Sequence, residues 1–115
     1  IKPFVDKIDQ QVMFAEKSWG SFRVLDIEDE SMTIKVTLMP GHKMNYHSHE
    51  HRDEVWTIVQ GNGQAILDDE IKDVRPGDVL TMKAGCKHTI AAVTELKLIE
   101  VQLGKEISVK DKIKY

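Results

Sequence analysis

Short runs that alternate apolar and polar side chains, with turn residues between them, restrict a chain to pleated strands. The clearest run is "MTIKVTLM" (Met32 to Met39), where Met32, Ile34, Val36 and Leu38 share one face and Thr33, Lys35 and Thr37 the other. Strand side chains repeat every two residues, so the apolar face needs apolar cover from another part of the chain. "EVWTIVQ" runs into the turn signal "GNG" (Gly61 to Gly63), and "QAILDD" is expected as the returning strand. "RPGD" (Arg75 to Asp78) marks a further turn, with Pro fixing φ and Gly accepting an awkward one. "VLTM", "HTIAAV" and "LKLIEVQL" supply three more strands. The spacing predicts an all-β, single-domain sandwich or barrel over residues 17–104. Residues 1–16 are expected to form an N-terminal arm, as a short helix or strand, and residues 105–115 a polar tail or edge strand.

A chain of 115 residues with 41% hydrophobic and 30% charged residues is large enough for one core and too apolar for disorder. Its net charge of −3 and scattered basic residues exclude the basic stripe that nucleic-acid binding requires. A small phosphorylated ligand needs only a few cations and stays open. The lone Cys86 excludes a disulfide framework and any Cys-rich zinc module. No apolar run approaches a membrane span, and the charged opening "IKPFVDKIDQQVMFAEK" is unlike a signal peptide, so no membrane partner and a cytoplasmic location are expected.

The chemistry concentrates in "GHKMNYHSHEHRDEVW" (Gly41 to Trp56), which holds four of the five histidines. Residues two apart in a strand point the same way, so His47 and His49 present both imidazoles to one face. Glu54 and the distant His88 could complete a shell. Three imidazoles and a carboxylate suit one divalent ion such as Zn, Mn, Fe, Co or Ni, with open positions for a substrate on a six-coordinate ion. A polar loop that happens to be rich in histidine is the competing reading. His42 reads as a loop residue, as does Cys86, although the latter is formally a soft ligand.

The spacing resembles the cupins, whose first motif runs Gly, five residues, His-x-His, three or four residues, Glu, six residues, Gly. Here it reads Gly41, "HKMNY", His47-Ser48-His49, "EHRD", Glu54, "VWTIVQ", Gly61. The second cupin motif is met by Gly77, "DVLTM", Lys83-Ala84-Gly85, "CK", His88, "TIA", Ala92, with Lys83 at the usual Pro and Ala92 at the usual Asn. The resemblance implies a double-stranded β-helix (jelly-roll) barrel with His47, His49, Glu54 and His88 as metal ligands.

A finer resemblance covers residues 17–104. "SWGSFRVLD", "HEHRDEVW" and "LKLIEVQLG" are similar to segments of the type II phosphomannose isomerase domain, which is usually fused behind a mannose-1-phosphate guanylyltransferase. That family commonly has Gln at the position of His47, and its tail carries an Asp-Ile-Val-Arg run where this chain has "EISVKDKIKY", with Lys110 the nearest cation. The implied activity is aldose–ketose isomerisation of the mannose 6-phosphate type, with a sugar phosphate as the small-molecule substrate.

Such a reaction asks for a base of near-neutral pKa, and His51, Glu50 or Glu100 could serve. It also asks for a phosphate clamp, for which Arg52 is the best placed and Lys83 and Lys87 flank the loop that carries His88. Trp56 offers either a wall for a sugar ring or plain barrel packing. Glu100 and Gln102 share one strand face, so both enter the cavity or both lie outside. Two rival functions remain: a cupin that binds a sugar or metabolite without turnover, and a metal-dependent oxygenase. Cupins of this size often pair through an exposed sheet or a swapped N-terminal strand, so a homodimer is expected.

Overall fold

A computed structural model describes residues 13–105, 107 and 110–115, so most of the arm expected over residues 1–16 lies outside the described residues. Eleven strands follow one another, with no helix among the described residues: β1 (Phe14–Lys17), β2 (Gly20–Ile27), β3 (Ser31–Leu38), β4 (His47–Ser48), β5 (Asp53–Gln60), β6 (Gly63–Leu67), β7 (Glu70–Val74), β8 (Val79–Met82), β9 (His88–Ala92), β10 (Leu96–Leu103) and β11 (Ile113–Lys114). They form a six-stranded sheet in the order β1-β2-β3-β10-β5-β8 and a five-stranded sheet in the order β11-β4-β9-β6-β7, all pairs antiparallel. The all-β expectation is met.

Alternation makes the core. In β3, Met32, Ile34, Val36 and Leu38 are all buried while the residues between them are half-exposed. Each such side chain contributes roughly 1.5–3 kcal/mol by leaving water. Trp56 and Ile58 of β5, Leu96 and Leu98 of β10, and Ile90 and Ala92 of β9 fill the same interior. The Trp56 and His88 rings meet edge to face at 5.4 Å, so the inner faces of the two sheets touch beside the histidines.

Two strand pairings, one in each sheet, were not foreseen. β1 and β2 pair antiparallel through a tight turn, and β7 returns alongside β6. The run "QAILDD" had been expected as strand throughout. Instead Asp68 and Asp69 adopt positive φ (47° and 69°), the two-residue turn whose twist suits a hairpin. β7 then carries almost no buried residue, so it has no alternation to betray it. Where β5 turns into β6, Gly61 holds φ +83°, and a Cβ there would lie 2.0 Å from the Glu95 carbonyl oxygen. Only glycine lets these strands close.

Register brings the polar residues together. Gln102 lies opposite Glu54 on one side and Met32 on the other, and Glu100 lies between Trp56 and Ile34. In the second sheet His47 is the partner of both His88 and Lys114. The interior therefore receives Glu54, Glu100 and Gln102 from one sheet and His47 and His88 from the other.

Candidate metal centre

The structure gathers His47, His49 and His88 so that one ligand nitrogen from each lies within 4.8 Å of the others, and all three residues are buried. Each imidazole is fixed through Nδ1. His47 Nδ1 lies 2.6 Å from the Asn45 carbonyl oxygen, His49 Nδ1 2.5 Å from that of Asp111, and His88 Nδ1 2.9 Å from that of Cys86. A carbonyl oxygen only accepts, so Nδ1 carries the proton in every ring. In the neutral rings Nε2 is therefore a lone pair, and this is the tautomer that carbonyl-anchored metal ligands adopt.

Glu54, 1% exposed, joins them, with Oε2 3.1 Å from His49 Nε2 and Oε1 3.5 Å from His88 Nε2. Trp56 Nε1 donates to Oε1 at 3.0 Å and Arg52 Nε donates to Oε2 at 2.9 Å. Burial works to raise this carboxyl, but its pKa is held well below the usual range; with both facing Nε2 atoms as lone pairs, the charge of Arg52 and the N–H groups of Arg52 and Trp56 account for this. Burial, and then the neighbouring His88, push His47 down to about 3, so its ring stays neutral at ordinary pH. Among the described residues His88 Nε2 is a buried nitrogen with no hydrogen-bond partner. Converging lone pairs and a buried carboxylate are matched chemically by a cation, and nitrogen–oxygen donors suit a first-row divalent ion. These residues fit a metal.

The face left open in β10 is the inner one. Glu100 and Gln102 are buried, and Gln102 Nε2 donates to Glu100 Oε2 at 2.6 Å while Gln102 Oε1 finds no partner. Burial, followed by the charge of Glu54, raises the Glu100 carboxyl to about 7. Arg52 is buried against Glu54, and its Nη2 lies 3.0 Å from His49 Nε2. Trp56 is fully buried and packs in the core.

His51, Glu50, Lys83 and Lys87, weighed as base or phosphate clamp, are not among the converging ligands. His51 is exposed on a bend, held by its backbone N–H to the Asp111 carboxylate. The Glu50 side of the same bend is held identically. Lys83 is exposed and ion-paired with Asp53 at 3.6 Å, and Lys87 sits over the Tyr115 ring at 4.5 Å. His42 is an exposed loop residue anchored to the Pro40 carbonyl. Burial, and then the negative Asp68, push the Cys86 thiol up to about 11, so it is no ready thiolate ligand.

Residues 111–115 were missed as part of the site. Asp111 offers its carbonyl to His49 and its carboxylate to the backbone N–H groups of Glu50 and His51, both at 2.8 Å. β11 pairs with β4, and the Tyr115 hydroxyl lies 2.8 Å from Ser48 Oγ. The segment thus straps the ligand strand in place. Main-chain acceptance leaves no residue signature; the alternation "DKIKY" is the one hint of a strand.

The family described as mannose-6-phosphate isomerase C-terminal matches over residues 6–115. A curated mannose-1-phosphate guanylyltransferase from Salmonella muenchen is 30% identical over 100 residues, covering 85% of this chain. The chain spans about a fifth of the curated relatives it matches, 21% in this case. An RmlC-like cupin from Shewanella frigidimarina superposes with TM-score 0.71 at 24% identity, covering 77% of this chain and 81% of that one. Oxalate decarboxylase from Bacillus subtilis gives 0.76 at 22%, covering 87% of this chain and 28% of that one. Those two likenesses establish the cupin fold and nothing finer.

Proposed function

Since the chain belongs to the mannose-6-phosphate isomerase C-terminal family, we propose that it is a metal-dependent cupin isomerase acting on a sugar phosphate of the mannose 6-phosphate/fructose 6-phosphate type. The observation that carries this is the set of three carbonyl-anchored imidazoles with converging nitrogens, two of them against the Glu54 carboxylate, beside a second buried carboxyl group. His47, His49, His88 and Glu54 would hold one divalent ion. The ion would supply Lewis-acid polarisation of the sugar oxygens.

The remaining work falls to the chain's own side chains. Glu100 is the base that moves the proton between C1 and C2, because it alone among the expected bases is both buried and raised toward neutrality. Gln102 orients it by donating to Oε2. Trp56 closes the floor of the cavity and, through Nε1–H, keeps Glu54 Oε1 turned toward His88. The buried walls of Ile34, Ile58 and Leu98 exclude water from the proton being carried.

A coupled assay with mannose 6-phosphate, run on protein reconstituted separately with Zn, Mn, Fe, Co and Ni, tests the reading. Turnover above an H88A control is expected with at least one metal, and E100Q should lose turnover while still binding that metal. No turnover with any of the five would sink the isomerase. A ligand-induced rise in melting temperature without product would then favour a binding module, and oxygen uptake with tightly held iron would favour an oxygenase.

A further inference from the structure

Arg52 is the buried one of the chain's three arginines. Its Nε donates to Glu54 Oε2 at 2.9 Å, and its Nη2 lies 3.0 Å from His49 Nε2. Because His49 Nδ1 faces the Asp111 carbonyl, the neutral ring has its lone pair on Nε2, and that lone pair accepts from the guanidinium. These are the same two atoms through which His49 and Glu54 would bind a metal. One lone pair cannot serve an N–H and a metal together. A divalent ion drawn close to a guanidinium also meets a like charge in a poorly screened interior. We infer that Arg52 competes with the metal for His49 Nε2 and Glu54 Oε2, so that metal affinity is set by this guanidinium as well as by the ligands. The inference rests on the metal reading above.

The surroundings keep the competitor close. At Gly104 a Cβ would lie 2.5 Å from the His51 carbonyl oxygen and 3.2 Å from Arg52 Cβ, so glycine lets the end of β10 close over residues 51 and 52. The Arg52 backbone is thereby fixed, and metal loading must act through rotation of its side chain. Arg52 thus does two opposed things. It neutralises the Glu54 carboxylate in the buried site, and it holds a ligand nitrogen that the metal needs.

The test is a calorimetric titration of wild type, R52Q and R52K with Zn²⁺ alone, at about pH 8, where ordinary carboxylates and imidazoles are deprotonated. R52Q keeps a donor for Glu54 but removes the charge and the fork, and it should bind at least about tenfold more tightly, roughly 1.4 kcal/mol. R52K keeps the charge as a point and should fall between. In the ¹⁵N spectrum of the wild type, the Arg52 Nε–H resonance should move in step with occupancy, a readout that needs no variant. Equal or weaker binding by a folded R52Q overturns the inference, as does an Arg52 resonance unmoved by saturating Zn²⁺. If wild type binds and R52Q gains nothing, Arg52 is a positioning residue and the metal reading survives. If none of the three proteins binds, the metal reading falls and this inference with it.

Discussion

Acidifying the metal-free protein should expose two opposed titrations buried in the same interior. His47 has an ordinary value of 6.5 and a folded value of about 3. A depressed base favours the folded state above its unfolded value, and that stability is lost as pH falls from 6.5 toward 3. At about pH 5 the unfolded chain holds a proton that folded His47 refuses, which costs about 2 kcal/mol at roughly 1.36 kcal/mol per unit. Glu100 has the opposite sign. Its folded value of about 7 exceeds the ordinary 4.5, so its stability is present at low pH and is lost as pH rises through 7. Going from about pH 7.5 to about pH 5 therefore returns about 2 kcal/mol through Glu100. Glu54 stays ionised across this window, because its carboxyl is held well below 4.5. The two shifts nearly cancel in the wild type, and single variants separate them. H47N keeps a donor for the Asn45 carbonyl but cannot protonate, so its stability should rise on acidification by about 2 kcal/mol relative to wild type. E100Q should fall by a similar amount. Urea unfolding in a chelator at the two pH values reads both, and groups common to all three proteins drop out of the differences. Parallel pH dependence in the three proteins would refute the reasoning.

Four further outcomes are expected. Trp56→Phe removes the Nε1–H donated to Glu54 Oε1 at 3.0 Å and should cost about 1.5–3 kcal/mol in urea unfolding, since the acceptor is charged and buried. A loss near zero would mean that the carboxylate finds another donor. Gly61→Ala places a Cβ 2.0 Å from the Glu95 carbonyl oxygen and should lose more than about 2 kcal/mol. Gly77→Ala, with positive φ but open space, should lose about 1–2 kcal/mol, so equal melting temperatures for the two alanines would contradict the packing account. Asp111→Ala strips the carboxylate from the Glu50 and His51 N–H groups and should weaken Zn²⁺ binding several-fold with little change in the far-ultraviolet spectrum. Saturation with a metal at about 100 times its Kd should raise unfolding stability by about 2.7 kcal/mol, and an H88A variant should lose most of that gain.

How much of this was legible depended on what each residue uses to make its contact. The inward face of β3 could be read directly, because Met32, Ile34, Val36 and Leu38 bury side chains at every second position. β7 could not, because Ile71 and its neighbours lie exposed and the strand is held by backbone pairing to β6. The histidine spacing was legible because His47 and His49 need only a local extended backbone to converge, whereas the convergence of His88 comes from its register with His47. Glu100 and Gln102 stayed open between two faces, since their strand alternates polar and apolar on both sides of the decision. Pairing with Trp56 and Glu54 settled it. Arg52 was singled out for its charge, but sequence carries no sign that its guanidinium turns back onto Glu54 two residues away. Asp111 had no signature, because any residue supplies a carbonyl.

The anchoring of the three imidazoles has a kinetic consequence. His47 and His88 are each oriented by a carbonyl two residues away, at Asn45 and Cys86, so those rings take their direction as soon as their own loops form. His49 is oriented by Asp111, 62 residues further along the chain, and that contact requires β11 to dock on β4. Such a long loop closes late in folding, so the third ligand is set last. The docked segment is also short and exposed, the kind of element that opens locally without global unfolding. Fraying of residues 111–115 would let the His49 ring swing while the barrel stays intact. A metal held at this site would then leave at a rate set by the opening of the C-terminal strap, and not by the unfolding of the core.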